Sequence, residues 1–126
     1  MDNMRLAELL FGALAKGDTD AIRNLCARDF RSSQNGGTAM NLESMLALIT
    51  SVHKVVANFR YENPVRSTTE SGFVEEHIAR GTLADGSRVE LPACLVAEVT
   101  GGKITELREY FDAKAADGLL RALSAA

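Results

Sequence analysis

Glu109 and His77 are the two residues whose types and spacing point most directly to chemistry. Glu109 lies in the segment Gly102–Asp112, GKITELREYFD. Read with period two, one face of that segment holds Thr105, Leu107, Glu109 and Phe111. The other face holds Ile104, Glu106, Arg108, Tyr110 and Asp112. The first face carries one carboxylate between large apolar groups. Such a carboxylate is costly unless it is paired, and its pKa tends upward. That combination suits general acid–base work. In Gly72–Leu83 the same alternation puts Phe73, Glu75, His77, Ala79, Gly81 and Leu83 on one face. If Phe73 and Leu83 point inward, so does His77, and a His–Glu pair in a pocket can move a proton near neutral pH. The competing reading is structural, with a histidine that only satisfies a buried carboxylate. A single β-bulge would reverse either face. Glu76 or Arg80 would then replace His77, or Arg108 and Tyr110 would replace Glu109.

Other polar residues are secondary candidates. Ser32 and Gln34 alternate with Phe30 in Asp29–Gln34, so they reach a pocket together or bond within the neighbouring loop. His53 ends a helical stretch, where a cation is favourable, and reads as surface or cap. Asp112 is placed to cap a tail helix. Tyr61 and Tyr110 read as packing on the sheet face. Cys26 and Cys94 have neither metal spacing nor a disulfide framework and read as buried thiols. There is no glycine-rich phosphate loop and no cluster of metal ligands, so no cofactor and no metal is expected.

The elements that must position these residues follow from periodicity. Leu6, Leu9, Leu10, Ala13 and Leu14 recur at helical spacing within Met4–Lys16. Gly17 then stops the helix and Asp18 caps a second, short one, with Ile22, Leu25 and Cys26 on its inner face. After a short strand, Asn35-Gly36-Gly37 makes a turn. A third helix begins near Asn41, with Leu42, Met45, Leu46, Ile49 and Val52 as its stripe. Beyond His53 the pattern changes to period two. Ala57–Glu62 reads as a strand ended by Asn63-Pro64. Gly72–Leu83 and Arg88–Thr100 form a hairpin around Asp85-Gly86. Gly101-Gly102 turns into a last strand, Ile104–Phe111, before an amphipathic tail at Ala113–Leu123. Along Arg88–Thr100, Val89, Leu91, Ala93, Leu95, Ala97 and Val99 form the more apolar face, which belongs against the helices. Helices first and strands after imply one α+β domain over residues 1–126, a curved antiparallel sheet over an N-terminal helical layer. A conical interior of this kind is a natural ligand site.

The chain has 126 residues, of which 46% are apolar and 25% charged, with a net charge of −3. It is long enough to bury a core without disulfides. Its scattered Lys and Arg give no footprint for nucleic acid or a membrane surface. No apolar run is long enough to span a bilayer, and the first residues do not read as a signal peptide, so the expected location is cytoplasmic.

The order of elements, the Asp85-Gly86 hairpin and the run Gly102-Lys103-Ile104 followed by Arg108-Glu109-Tyr110-Phe111-Asp112 resemble the nuclear transport factor 2-like superfamily. Within it the chain is most similar to the SnoaL-like branch, which includes polyketide cyclases and limonene epoxide hydrolase. The resemblance implies a cone-shaped (cystatin-like) α+β fold, a homodimer packed through the sheet, and an internal pocket. It places Glu109 where limonene epoxide hydrolase has a catalytic Asp. It places His77 and Ala79 near that enzyme's Arg and second Asp, and Ser32 and Gln34 near its Tyr and Asn. Most of that water-activating set is therefore absent here. Ketosteroid isomerase has its general-base Asp near Gln34, and an amide cannot abstract the proton. SnoaL-like cyclases use an Asp as acid–base, a role that Glu109 can fill.

The resulting expectation is a cofactor-free enzyme with Glu109 and His77 as its acid–base pair. Its reaction would be of the cyclase, isomerase, dehydratase or hydrolase type on a small, largely apolar molecule. Ser32, Gln34, Met45, Ile49, Leu91, Ala93, Leu95, Leu107 and Phe111 would bind that molecule. The alternatives are a non-catalytic binding module and a dimerisation domain of the same fold.

Overall fold

Asp2 opens the first helix, α1 (Asn3–Lys16), by accepting a hydrogen bond from the Arg5 amide at 2.8 Å. Gly17 closes it in the left-handed conformation, φ 70°. The computed structural model describes residues 1–126. Asp18 caps α2 (Thr19–Leu25) through the Ala21 amide. The chain then enters β1 (Cys26–Gln34) and, after the Asn35-Gly36 turn, β2 (Met40–Asn41). Asn41 caps α3 (Leu42–Val55), accepting from the Ser44 amide at 2.9 Å. Four strands follow: β3 (Val56–Thr68), β4 (Gly72–Leu83), β5 (Arg88–Thr100) and β6 (Lys103–Phe111). The chain ends in α4 (Asp117–Ala125).

The six strands form one curved, unclosed sheet in the order β2-β1-β6-β5-β4-β3. Every strand pair is antiparallel except β1 with β6, which is parallel. The sheet is thus mixed rather than wholly antiparallel as expected. The reason is connectivity: α3 intervenes after β1 and β2, so β1 joins the far side of the meander beside its last strand. The inner face packs on α1, α2 and α3. Phe30, Phe73, Leu6, Leu10, Ile22 and Ile104 are all essentially inaccessible there. Burying each such side chain is worth about 1.5–3 kcal/mol. No helix is long and apolar enough to cross a membrane.

Three local features differ from the periodic reading. Ile104, assigned to the outer face, is fully buried. Register with β5 jumps from Glu98 opposite Glu106 to Val99 opposite Ile104, so Thr105 is an extra residue. This bulge turns Ile104 to the same side as Leu107. Cys26 is the first residue of β1 rather than the end of a helix, and it remains buried. Finally, β3 runs through Asn63-Pro64 instead of stopping there. It is an edge strand, where proline leaves no partner short of a donor. Asn58 and Asn63, both with φ 55°, accompany its two register shifts.

Candidate functional site

The bulge at Thr105 precedes Glu109, so the alternation beyond it holds. Leu107, Glu109 and Phe111 face the interior, whereas Tyr110 is exposed. These three inner residues form part of the floor of a cavity of about 120 Å³. Ser32 and Gln34 of β1, Leu91 and Leu95 of β5, and Phe59 and Tyr61 of β3 extend that floor. Met45, Ile49 and Val52 of α3 form one wall. Leu119, Leu120 and Leu123 of α4 cover it. The apolar stripe of the tail helix therefore faces the cavity.

Glu109 is half-buried, and its carboxyl belongs to the cavity wall. Gln34 sits opposite it in the parallel β1–β6 register and donates a hydrogen bond from Nε2 to Glu109 Oε1 at 3.2 Å. Burial pushes the Glu109 carboxyl above its ordinary value. The Gln34 hydrogen bond and the charge of His77 pull it back without cancelling that effect. Ser32 lies two residues before Gln34 on the same face, with 6% exposure. Its Oγ has no hydrogen-bond partner. No Lys, Arg or His lines the cavity.

His77 faces inward as expected but does not pair with Glu109. Its Nδ1 lies 2.6 Å from Oε2 of Glu75, two residues earlier on the same strand face. Glu75 Oε1 accepts from Arg66 Nε at 2.6 Å. Glu75 is 1% exposed, and each of its carboxyl oxygens is occupied by one of these two partners. Tyr61 stacks flat on the His77 ring, with centroids 3.9 Å apart, and Phe11 meets that ring edge-on. Tyr61 lines the cavity, and His77 does not. The imidazole therefore stands behind Tyr61, near enough to Glu109 to act on it through charge.

The structure gathers Glu109, Ser32, Gln34, Met45, Ile49, Leu91, Leu95, Leu107 and Phe111 around one cavity. Ala93 is not among them. It pairs with His77 across the β4–β5 ladder and is buried in the core. Tyr61 is a cavity residue rather than sheet packing alone, and burial raises the pKa of its hydroxyl. His53 is tied down: its Nε2 donates to the Leu14 carbonyl at 3.0 Å, joining α3 to the end of α1. Asp112 accepts from the Lys114 amide in the turn before α4. Burial pushes the Cys26 thiol up to about 12, which makes it a poor nucleophile. No three His, Cys, Asp or Glu side chains converge as a metal site would require.

Glu75 and Arg66 were not among the candidates. Glu75 was available to the period-two reading, because it shares the inward face of His77. Arg66 was hidden by the assumption that β3 ends at Pro64.

A family model described as a SnoaL-like domain matches residues 7–107. No curated protein matches the chain. Among solved structures, the fold is similar to PrhC from Penicillium brasilianum. The TM-score is 0.83 at 15% identity, covering 97% of this chain and 87% of that one. A candidate polyketide cyclase from Xanthomonas campestris pv. campestris gives 0.81 at 16% identity, with 96% of each chain covered. An LEH-like epoxide hydrolase from M. tuberculosis gives 0.71 at 24% identity, covering 96% of this chain and 91% of that one. At these identities the likeness is one of fold.

Proposed function

The chain belongs to the SnoaL-like domain family of the nuclear transport factor 2-like superfamily, and from that premise we propose that it is a small-molecule enzyme in which Glu109 transfers a proton. The observation that carries this reading is the Glu109 carboxyl on a largely apolar floor without a cation, bonded to the Gln34 amide and held by burial to keep its proton above the ordinary range. A carboxyl tuned upward is a usable acid and a usable base at one pH. As carboxylate it takes a proton from carbon or oxygen of the bound molecule, and as acid it returns one. Gln34 fixes the orientation of the carboxyl. His77 contributes through its charge: when protonated it stabilises the Glu109 carboxylate, and Glu75 and Arg66 hold it in place.

One observation favours a second reading, a binding module. Apart from Tyr61, Glu109 is the cavity's sole titratable side chain, so a second acid–base group must come from the ligand or from water. The outer face of the sheet counts against a domain that only dimerises there. It is laced with ion pairs, Arg80 with Glu62 and Glu90, and Arg108 with Glu98 and Glu106. A homodimer built through that face, as the resemblance implies, is checked by light scattering.

Hydrogen–deuterium exchange at the α-carbon of a compact ketone such as cyclohexanone, in D₂O, separates the two main readings. The enzyme reading expects exchange above the buffer rate for the wild type and its loss in Glu109→Gln. Binding without exchange supports the binding module.

A further inference from the structure

We propose that Ser32 selects the ligand: its hydroxyl anchors an uncharged oxygen, a carbonyl or a hydroxyl, on a compact molecule about one ring in size. This rests on reading the cavity as a small-molecule site. Ser32 is held in place by its backbone, opposite Met40 of β2 and Leu107 of β6, so its side chain is not needed to build the sheet. Its neighbour on the same face, Phe30, is fully buried in the core. An apolar side chain would satisfy that packing. Instead the position carries a hydroxyl that is more than nine-tenths buried, lines the cavity and bonds to nothing in the protein. Buried polar atoms without partners are few in folded proteins, and each calls for an explanation. A ligand oxygen supplies one.

The surroundings narrow the chemistry of that oxygen. Gln34, the nearest amide on the strand, is committed to Glu109. No cationic side chain lines the cavity, so a carboxylate or phosphate finds no counter-charge and meets the Glu109 carboxyl instead. A neutral carbonyl or hydroxyl pays no such penalty, and the serine hydroxyl can donate to either. Size sets the rest. A cavity of about 120 Å³ is close to the roughly 150 Å³ that holds one benzene ring. Ser32 and Glu109 lie diagonally across the β1–β6 seam, with backbones on the order of 8 Å apart. A ring anchored at Ser32 therefore lies within reach of the Glu109 carboxyl.

Phenol and toluene, near-isosteres that differ by the oxygen, test this in NMR titrations of wild type, Ser32→Ala, Glu109→Gln and the double variant. Toluene is expected to shift cavity resonances in all four. Ser32→Ala is expected to weaken phenol about tenfold while leaving toluene unchanged, the scale of one neutral hydrogen bond. The same loss is expected in the Glu109→Gln background, which separates Ser32 from Glu109 as the anchor. Equal effects of Ser32→Ala on both probes, or no effect on phenol, overturn the assignment of Ser32 while leaving the cavity reading intact. If neither probe shifts cavity resonances in the wild type, the cavity reading itself fails and the assignment falls with it. Benzoate binding at pH 8 as tightly as phenol would overturn the exclusion of anions.

Discussion

Gln34 faces Glu109 across the one parallel seam of the sheet and donates to its carboxylate from Nε2 at 3.2 Å. A neutral amide in this position orients the carboxyl without supplying a compensating charge. Burial therefore dominates, and Glu109 retains its proton above the usual carboxylate range. An Arg or Lys in place of Gln34 would hold Glu109 ionised and remove its capacity to act as an acid.

The raised pKa has a signed consequence for stability. Folded Glu109 binds its proton to higher pH than the unfolded chain does. Between the two pKa values the native state holds more protons, so stability falls as pH rises through that window. Glu109→Gln removes this dependence. The variant is expected to melt higher relative to wild type at pH 8 than at pH 4, as measured by thermal denaturation in matched buffers. A difference independent of pH would show that Glu109 is not so perturbed.

Removing the shared carboxylate behind Tyr61 strands the buried His77 and the partly exposed Arg66. Glu75→Gln leaves Arg66 and His77 without their counter-charge and is expected to cost about 3–5 kcal/mol in urea unfolding. A cost below about 1 kcal/mol would mean that the network is solvated and not structural.

Gly72 has no room for a methyl group. A Cβ there would lie 1.9 Å from the Ala97 carbonyl oxygen, and a backbone atom cannot swing aside. Gly72→Ala is expected to destabilise the β4–β5 hairpin by about 1–3 kcal/mol. The check is the shift of the urea midpoint at constant m-value.

Enlarging the cavity should trade stability for ligand size. Leu95 is buried at 4% exposure and lines the floor. Leu95→Ala is expected to cost about 2–5 kcal/mol. It should also admit a two-ring probe, naphthalene, that the wild type binds weakly if at all. Fluorescence titration of naphthalene against both proteins reads this directly.

Much of this arrangement is written in local patterns. The caps Asp18 and Asn41, the turn at Asp85-Gly86, and the inward faces of β4 and β5 follow from spacing alone, because each depends on neighbours close in the chain. The departures arise where a distant partner decides. The bulge at Thr105 is a matter of register with β5, and no feature of KITEL announces it. The passage of β3 through Pro64 depends on its being an edge strand, which only the sheet order reveals. The partner of His77 is a case of its own. Both Glu75 and Glu109 lay on inward faces, and register decided between them: Glu75 is two residues from His77 on the same strand, whereas Glu109 lies two strands away, beyond β5 and beside Leu95 rather than Ala93. Glu109 was legible because the bulge falls before it and leaves the alternation from Leu107 to Phe111 intact.

The central claim, that Glu109 is a proton-transfer group, is tested most directly by following its side-chain carboxyl carbon through a pH titration by NMR, with Glu109→Gln to assign the signal. The account predicts that Glu109 titrates above the ordinary glutamate range of roughly 4.3. It also predicts that the midpoint moves higher still in His77→Gln, which removes the charge opposing the shift. A midpoint at or below the ordinary value in the wild type would contradict it.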